Sequence, residues 1–479
     1  MKKPILMILQ KADNFKDLEM LIFRFICGLV RRVFVLVLKE IDKELMKNRN
    51  KSRLKHEDLN ERTIETMFGS ITIKRRYYYD NKEDEYKYLL DEYLGLPSND
   101  RVSPGFKELT LEFIQDESYR KSADKANKKS EASASHTSIW KWVQEFGSKL
   151  RAETKRKKEE LFEWGVKPEG NGEKIKTDYI FSEADGTSIY LQNEDKSKGE
   201  IKLGMLYTGW EKLHPMSNNY SLVGKRMFGG VFDSTELWKE IEIGMYEKFE
   251  SGADLEVVLN GDGASWIDSG KDYLPEDTYR QLDEFHINRR IFWALGSSNY
   301  IPKINTAIEN REKEKLIEIL NKAKSYRQKE KQKENVEELK KYFLNHWEAL
   351  EDYREKDIDF PDNARGMGAM ESNIDKVIAD RFKKKGMRWS KKGAKNLVKI
   401  KLSKINGELK NKLYEDYNWH FKEEKLEGKY KKVNKKLEKK EDPVKKGGLP
   451  ALEGPDAGKD WVKGLKKIAD PILNNPIDR

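Results

Sequence analysis

Cysteine is almost absent: Cys27 is the only one in 479 residues. A single thiol excludes an intramolecular disulfide framework and any Cys-rich zinc site, and it fits a reducing, cytoplasmic setting. Long apolar runs are missing as well. The most apolar stretch, Leu21–Leu38, is broken by Arg24, Arg31 and Arg32 into uncharged runs of at most six residues, whereas a membrane-spanning helix needs about 20 mainly apolar residues. No signal peptide is expected, because acids precede that stretch and no small-residue cleavage pattern follows it. It reads as an amphipathic helix of a soluble chain. The apolar content is low, 37%, yet 11 Trp, 21 Tyr and 19 Phe exclude general disorder, which usually lacks aromatics. The length predicts roughly two to four domains with a substantial core.

What is abundant is charge, and it is unevenly spread. The net charge is +10; residues 371–479 hold 30 Lys+Arg against 17 Asp+Glu, while the other 370 residues hold 64 against 67. The whole basic surplus therefore belongs to the last quarter of the chain. Blocks such as Lys383-Lys384-Lys385 and Lys391-Lys392 suit a polyanion, because each lysine paired with a phosphate releases condensed counterions. A solvated charged face is the alternative for any single run.

The pattern along the chain gives an α+β, multidomain reading. Residues 14–50 predict a helix. Thr63–Phe68 and Ile71–Tyr79 predict a β-hairpin joined by Gly69-Ser70, and Pro97–Pro104 marks a boundary. Ser118 can cap a helix carrying Tyr119, Ala123 and Ala126. After a polar break, a second helix starts near Ser135 with Ile139, Trp142, Val143 and Phe146 on one face. Small residues on the first helix allow the close crossing of a helix-turn-helix. The second helix would present His136, Thr137, Ser138 and Lys141 where base edges are read; an ordinary helical hairpin is the alternative. From Lys174 the pattern turns to strands: Tyr179–Ala184, Thr187–Gln192 and Ile201–Thr208, then a helix over Ser234–Phe249 and an apolar run, Leu255–Leu259. This β-β-β-α-β order opens an RNase H-like fold and is compatible with other α+β arrangements. Residues 303–356 read as an inserted helical subdomain, with Val336, Leu339, Phe343 and Leu350 at helical spacing. Beyond about 430 the Lys-, Gly- and Pro-rich chain predicts partial disorder.

Three acids sit where chemistry would place them. Asp185 ends the first strand run before Gly186, Asp262 ends the fourth run between Gly261 and Gly263, and Glu371 opens a helix after Gly366-Met367-Gly368. If the first and fourth strands are neighbours, the two aspartates project side by side and the helix brings Glu371 to them. Close carboxylates raise one another's pKa, and hard divalent ions relieve that crowding. Two such ions about 4 Å apart can serve an in-line phosphoryl displacement. Each acid also has a structural reading: a hairpin turn for Asp-Gly, or a first-turn acid favoured by the helix dipole for Glu371. Asp283 and His286 form an Asp-x-x-His arrangement, and a hydrogen-bonded core histidine is its plainer reading.

With these residues assembled, the chain resembles bacterial insertion-sequence transposases of the ISLre type, a group similar to the Mutator-like transposases. The resemblance runs from the N-terminal helix to about residue 420. It rests on Arg62-Thr63 through Arg75-Arg76-Tyr77, Ser118-Tyr119-Arg120 through Trp142, the three acidic motifs, and Glu371-Ser372-Asn373-Ile374-Asp375 running into Arg388-Trp389-Ser390. It implies an RNase H-like mixed-sheet catalytic core whose Asp-Asp-Glu triad is Asp185, Asp262 and Glu371, holding Mg2+ or Mn2+, as two ions. It also implies a helical insertion before the Glu, with Asp283 and His286 as auxiliary residues. The expected organisation is a helix and hairpin region (1–100), a helix-turn-helix region (101–165), a first part of the core (170–300), the insertion (301–360), completion of the core (361–425) and a basic tail (426–479). The expected activity is metal-dependent cleavage at the terminal inverted repeats of a mobile element and 3′-OH strand transfer into target DNA. Arg381, Lys383, Arg388 and Lys391 would hold phosphates, and a homodimer or larger assembly would bring two ends together, in a nucleoid-associated, cytoplasmic protein. The alternatives are a domesticated, non-catalytic DNA-binding regulator and an RNase H-like metal nuclease.

Overall fold

Asn14 starts the first long helix: its side chain accepts the Asp17 N–H at 3.0 Å, and α1 runs over Phe15–Asn48. Leu38, flanked by Val35, Ile41 and Leu45, packs against the apolar face of a small sheet. That sheet is β1 (Leu54–Thr66), β2 (Gly69–Asp80) and β3 (Glu85–Lys87), antiparallel throughout. The hairpin turn is Met67-Phe68, not Gly69-Ser70 as expected; Thr66 pairs directly with Gly69, whose φ of 105° suits only glycine. Arg62 and Arg75, prominent in the sequence, are buried and both pair with Asp91 of α2 (Leu89–Leu94), Arg62 at 2.7 Å. They tie the hairpin to its neighbour. The computed structural model describes residues 10–415 apart from 99, 171, 232, 357–359 and 362; the expected basic tail, 426–479, lies outside the described residues.

After α3 (Pro104–Ile114) come the two helices of the expected helix-turn-helix, α4 (Tyr119–Lys129) and α5 (His136–Phe162). Ser118 and Ser135 are their N-caps, accepting from Lys121 N–H and Ser138 N–H, which satisfies donors every helix start leaves open. Ala123, Ala126, Ile139, Val143 and Phe146 are buried in one shared core. Asn127 braces the turn by two hydrogen bonds with the Ala134 backbone, at 2.9 and 3.1 Å.

The central sheet is built from β4 (Ile175–Tyr190), β5 (Lys198–Tyr207), β8 (Arg226–Gly230), β9 (Phe249–Gly261) and β10 (Tyr279–Leu282). A side hairpin, β6 (Gly209–Lys212) with β7 (Tyr220–Val223), interrupts it. The order is β10-β9-β4-β5-β8; β9 is parallel to both β4 and β10, whereas β5 is antiparallel to β4 and β8. One expectation fails here. Tyr179–Ala184 and Thr187–Gln192 are not separate strands joined at Asp185-Gly186; both belong to β4, which runs on to Tyr190. Asp185 and Gly186 pair with Leu203 and Lys202 in unbroken register, so the continuous ladder with β5 overrides the turn preference of Asp-Gly. The helix α6 (Ser234–Lys248) covers one face, burying Leu237, Trp238 and Ile241 on Ile180, Ala184 and Leu206.

Four helices follow β10: α7 (Glu284–Leu295), α8 (Ile301–Glu309), α9 (Lys313–Ser325) and α10 (Glu330–Asn345). Val336, Leu339, Phe343 and Leu350 are buried as expected, but their core also takes Ile287, Ile291 and Leu295, so the helical unit begins at Glu284. The chain then returns to the sheet with α11 (Ala369–Ile374), a π-helical stretch Asp375–Lys383, α12 (Lys391–Ile405) and α13 (Leu409–Tyr414). The sheet's second face shares one core with α5, α11 and α12, and the described residues form one compact unit. The α5–α12 crossing is close: a Cβ on Gly147 would lie 2.4 Å from Asn396 Cβ and 2.7 Å from its Cα. Gly147→Ala is expected to cost about 1–3 kcal/mol through overpacking, read as a lower midpoint in urea. Among the described residues no helix is long and apolar enough to cross a membrane.

Candidate functional site

The parallel register sets the site. Glu183 on β4 lies opposite Asn260 on β9, and Gly261 lies opposite Leu282 on β10. Asp185, two residues past Glu183, is therefore level with Asp262, and Asp262 with Asp283. The three acids stand in a row, Asp185 within β4 and Asp262 and Asp283 just past the carboxyl ends of β9 and β10, the edge where open sheets bind ligands.

Glu371 reaches this row through a carboxylate that sequence reasoning missed. Glu183 lies two residues before Asp185 and so faces the same side of the sheet. It is fully buried and accepts the N–H groups of Gly368 (3.2 Å), Ala369 (3.3 Å) and Met370 (2.9 Å), and the Tyr207 hydroxyl (2.7 Å). These amides are the open donors at the start of α11. Burial is the main influence on Glu183 and raises its pKa against the pull of those donors. Gly368 has φ 132° and no room to spare, since a Cβ would lie 3.3 Å from Asp283 Oδ2. The only sequence signal for Glu183 is its spacing from Asp185, which carries little by itself.

The ligand atoms of Asp185, His286 and Glu371 lie within 4.8 Å of one another. Asp262 is not in that tight group, although it acts on Asp185 electrostatically. Its Oδ1 accepts the Ala264 N–H at 2.9 Å, and its backbone carbonyl accepts the Tyr342 hydroxyl at 2.9 Å. Gly263 makes this packing possible: φ is 82°, and a Cβ would meet Tyr342 at 2.9 Å. Asp283 caps α7, its Oδ1 accepting the His286 N–H and bonding His286 Nδ1, both at 3.1 Å. Asn260 Nδ2 donates to its other oxygen at 3.2 Å. With Nδ1 engaged, Nε2 is the His286 nitrogen left for the cluster, the arrangement of a carboxylate-oriented metal histidine.

The protonation equilibria reflect this crowding. The Asp185 carboxyl is raised to about 6, chiefly by burial; Asp262 and Glu371 add to the rise, against the Gly186 N–H at 2.6 Å and His286. Burial opposes the charged form of His286, but the Asp283 bond and the fields of Asp185, Asp283 and Asp262 outweigh it and raise its pKa. Burial also works to raise Asp283, yet the His286 and Asn260 bonds hold it below the usual carboxylate range. Two carboxylates and an imidazole converging in a shielded, acid-crowded place are a donor set suited to a divalent cation.

The expected DNA contacts divide. His136, Thr137 and Lys141 are exposed at the start of α5, and Ser138 is half-buried. Lys383, Arg388 and Lys391 are exposed, and Lys391 lines a groove of about 1290 Å3 together with Arg151, Lys155 and Lys395. Arg381 is a correction. It is 2% exposed, donates through Nε to the Ile114 carbonyl at 2.9 Å and stacks on Trp389. The π-helical winding carries it inward, so it braces the core and is not placed to hold phosphate.

Comparison with known proteins adds relatives along most of the chain. A UPF0236 protein of Caldanaerobacter subterraneus subsp. tengcongensis, whose name joins eleven loci, is 26% identical over 434 residues, 90% of this chain and 85% of its own. A second from that organism, named for four loci, is 25% identical with the same coverage. A UPF0236 protein in the vanSb 3′ region of Streptococcus gallolyticus is 26% identical over 406 residues, 84% of this chain and 85% of its own. The uncharacterised protein family UPF0236 matches residues 8–417, and the chain belongs to that family.

Proposed function

We propose that this protein is a metal-dependent DNA transposase with an RNase H-like catalytic core. The observation that carries the reading is the convergence of Asp185, His286 and Glu371, with Asp262 just past the end of the adjoining strand β9. Two further observations support it. The strand order β10-β9-β4-β5-β8, with an antiparallel first hairpin and parallel later strands, is that expected for an RNase H-like sheet. The names of two relatives join eleven and four loci of one genome, the repetition a mobile element leaves.

Asp185, Asp262 and Glu371, with His286, would hold Mg2+ or Mn2+, which supplies an acidified water and neutralises phosphate charge when bound. Asp283 fixes the His286 ring, and Glu183 holds the helix that presents Glu371. His136, Thr137, Ser138 and Lys141 at the start of α5 would read the terminal repeats, while Lys383, Arg388 and Lys391 take backbone phosphates. Incubating the protein and Mg2+ with duplexes carrying the flanks of its own gene should release 3′-hydroxyl ends and join them to a second duplex. Asp262→Asn should abolish both products and leave end binding largely intact; cleavage retained in that variant refutes the triad. The place of Asp262 outside the tight group favours the second reading, a DNA-binding regulator, for which binding would be indifferent to metal and no ends would appear. Ends released but never joined would indicate a nuclease.

A second copy of the chain is the assembly partner of this reading, and α1 supplies a seam for it. Ile22, Ile26, Leu29, Val33 and Leu36 are 43–59% exposed at alternating spacings of four and three. β-Branched Ile26 and Val33 alternate with Leu29 and Leu36, the pattern that favours a parallel two-stranded coiled coil. Ile26→Asp with Val33→Asp is expected to convert a dimer to a monomer in sedimentation; an unchanged dimer places the seam elsewhere.

A further inference from the structure

We propose that the outer face of α7 is a stacking platform for unpaired bases of the DNA strand that enters the Asp185–His286–Glu371 cluster. The helix buries Ile287, Ile291 and Leu295 and turns large rings to solvent on the other side: Phe285 is 48%, Phe292 50% and Trp293 63% exposed. Phe285, Arg289, Phe292 and Trp293 follow one another at helical spacing, so they share one face. Exposed rings of this size gathered on one helix are costly in water and mark a binding surface.

Two features name the occupant. The first is charge. The Arg289 guanidinium stands 4.2 Å from the Trp293 ring centre and 5.9 Å from that of Phe285, and it has no carboxylate partner among the described residues. A cation held between aromatic faces and left without an anion suits a polyanion whose bases are flat and aromatic. The second is position. The Phe285 ring centre is 5.4 Å from that of His286, and Trp293 is seven residues further on, about 10 Å along the helix axis. A strand whose phosphate lies at the cluster passes its neighbouring bases over this face. Only unpaired bases expose a flat surface, so the platform selects single strand over duplex. This inference rests on the DNA reading above and adds the form of DNA that the site accepts.

The experiment uses the full chain in EDTA with a labelled oligothymidine and a duplex of equal length. Trp293→Ala is expected to weaken single-strand binding by about 5- to 160-fold, the range of one lost base–aromatic stack, with duplex binding nearly unchanged. Trp293→Phe keeps most of the affinity, and Phe292→Ala repeats the loss. The side chain is exposed, so the melting temperature stays that of the wild type. Unchanged single-strand affinity, equal losses for both DNA forms, or a change in sedimentation that makes the face a contact between copies would each overturn the proposal. The assay contains no metal, so a failure here is distinct from a failure of Mg2+-dependent cleavage.

Discussion

Asp185→Asn is expected to make the metal-free protein more stable at neutral pH while removing its response to Mn2+. The folded-state pKa of Asp185 is about 6, against an ordinary value of 3.8. Between those values the folded chain keeps a proton that the unfolded chain releases, so rising pH draws stability away. Above about pH 6 the whole penalty is present, and a shift of this size corresponds to about 3 kcal/mol at most. Asparagine carries no charge and escapes it. In EDTA the variant should therefore melt higher than wild type at pH 8, with the difference closing toward pH 4. Adding Mn2+ should raise the melting temperature of the wild type and leave the variant where it was. A variant that melts at or below the wild type at pH 8 would show that burial and the neighbouring acids do not hold the Asp185 carboxyl above its ordinary value.

The second large effect belongs to Glu183. Glu183→Ala would leave the Tyr207 hydroxyl and three backbone amides at the start of α11 without their acceptor. At about 1–3 kcal/mol for each buried group left unsatisfied, the loss threatens the fold, and its urea midpoint should fall sharply. Glu183→Gln keeps an acceptor oxygen and should fold. It presents an amide where donors converge, so α11 is held less firmly and Glu371 with it. The expected result is a loss in Mn2+ affinity of about 10-fold or more, the size seen when a group behind a metal ligand is removed. Unaltered Mn2+ affinity in a folded Gln variant would mean that Glu371 is placed by other contacts.

Local patterns in the sequence were good guides where the neighbours of a residue are near in sequence. The caps Ser118 and Ser135, the apolar stripe of α5 and the buried positions of α10 follow from spacing and side-chain chemistry alone. The strand-like run before Asp262 and the helix start at Glu371 are legible for the same reason. What spacing could not reveal depends on partners far along the chain. Asp185-Gly186 looks like a turn until β5 pairs with both residues. Arg381 looks like a phosphate ligand until the Ile114 carbonyl and Trp389 receive it. Arg62 and Arg75 meet Asp91 only once the hairpin is folded. Glu183 gains its role from amides that lie 185 to 187 residues away. His286 likewise becomes a full member of the cluster because β10 lies beside β9, a pairing not evident from four residues of strand.

The central claim, that side chains from β4, α7 and α11 jointly hold a divalent cation, is tested most directly by titrating the intact protein with Mn2+ and following free Mn2+ by electron paramagnetic resonance. The account predicts saturable binding that excess Mg2+ reverses and that Asp185→Asn and Glu371→Gln each remove. A wild-type chain that leaves the free Mn2+ signal undiminished, or variants that bind as the wild type does, would contradict it.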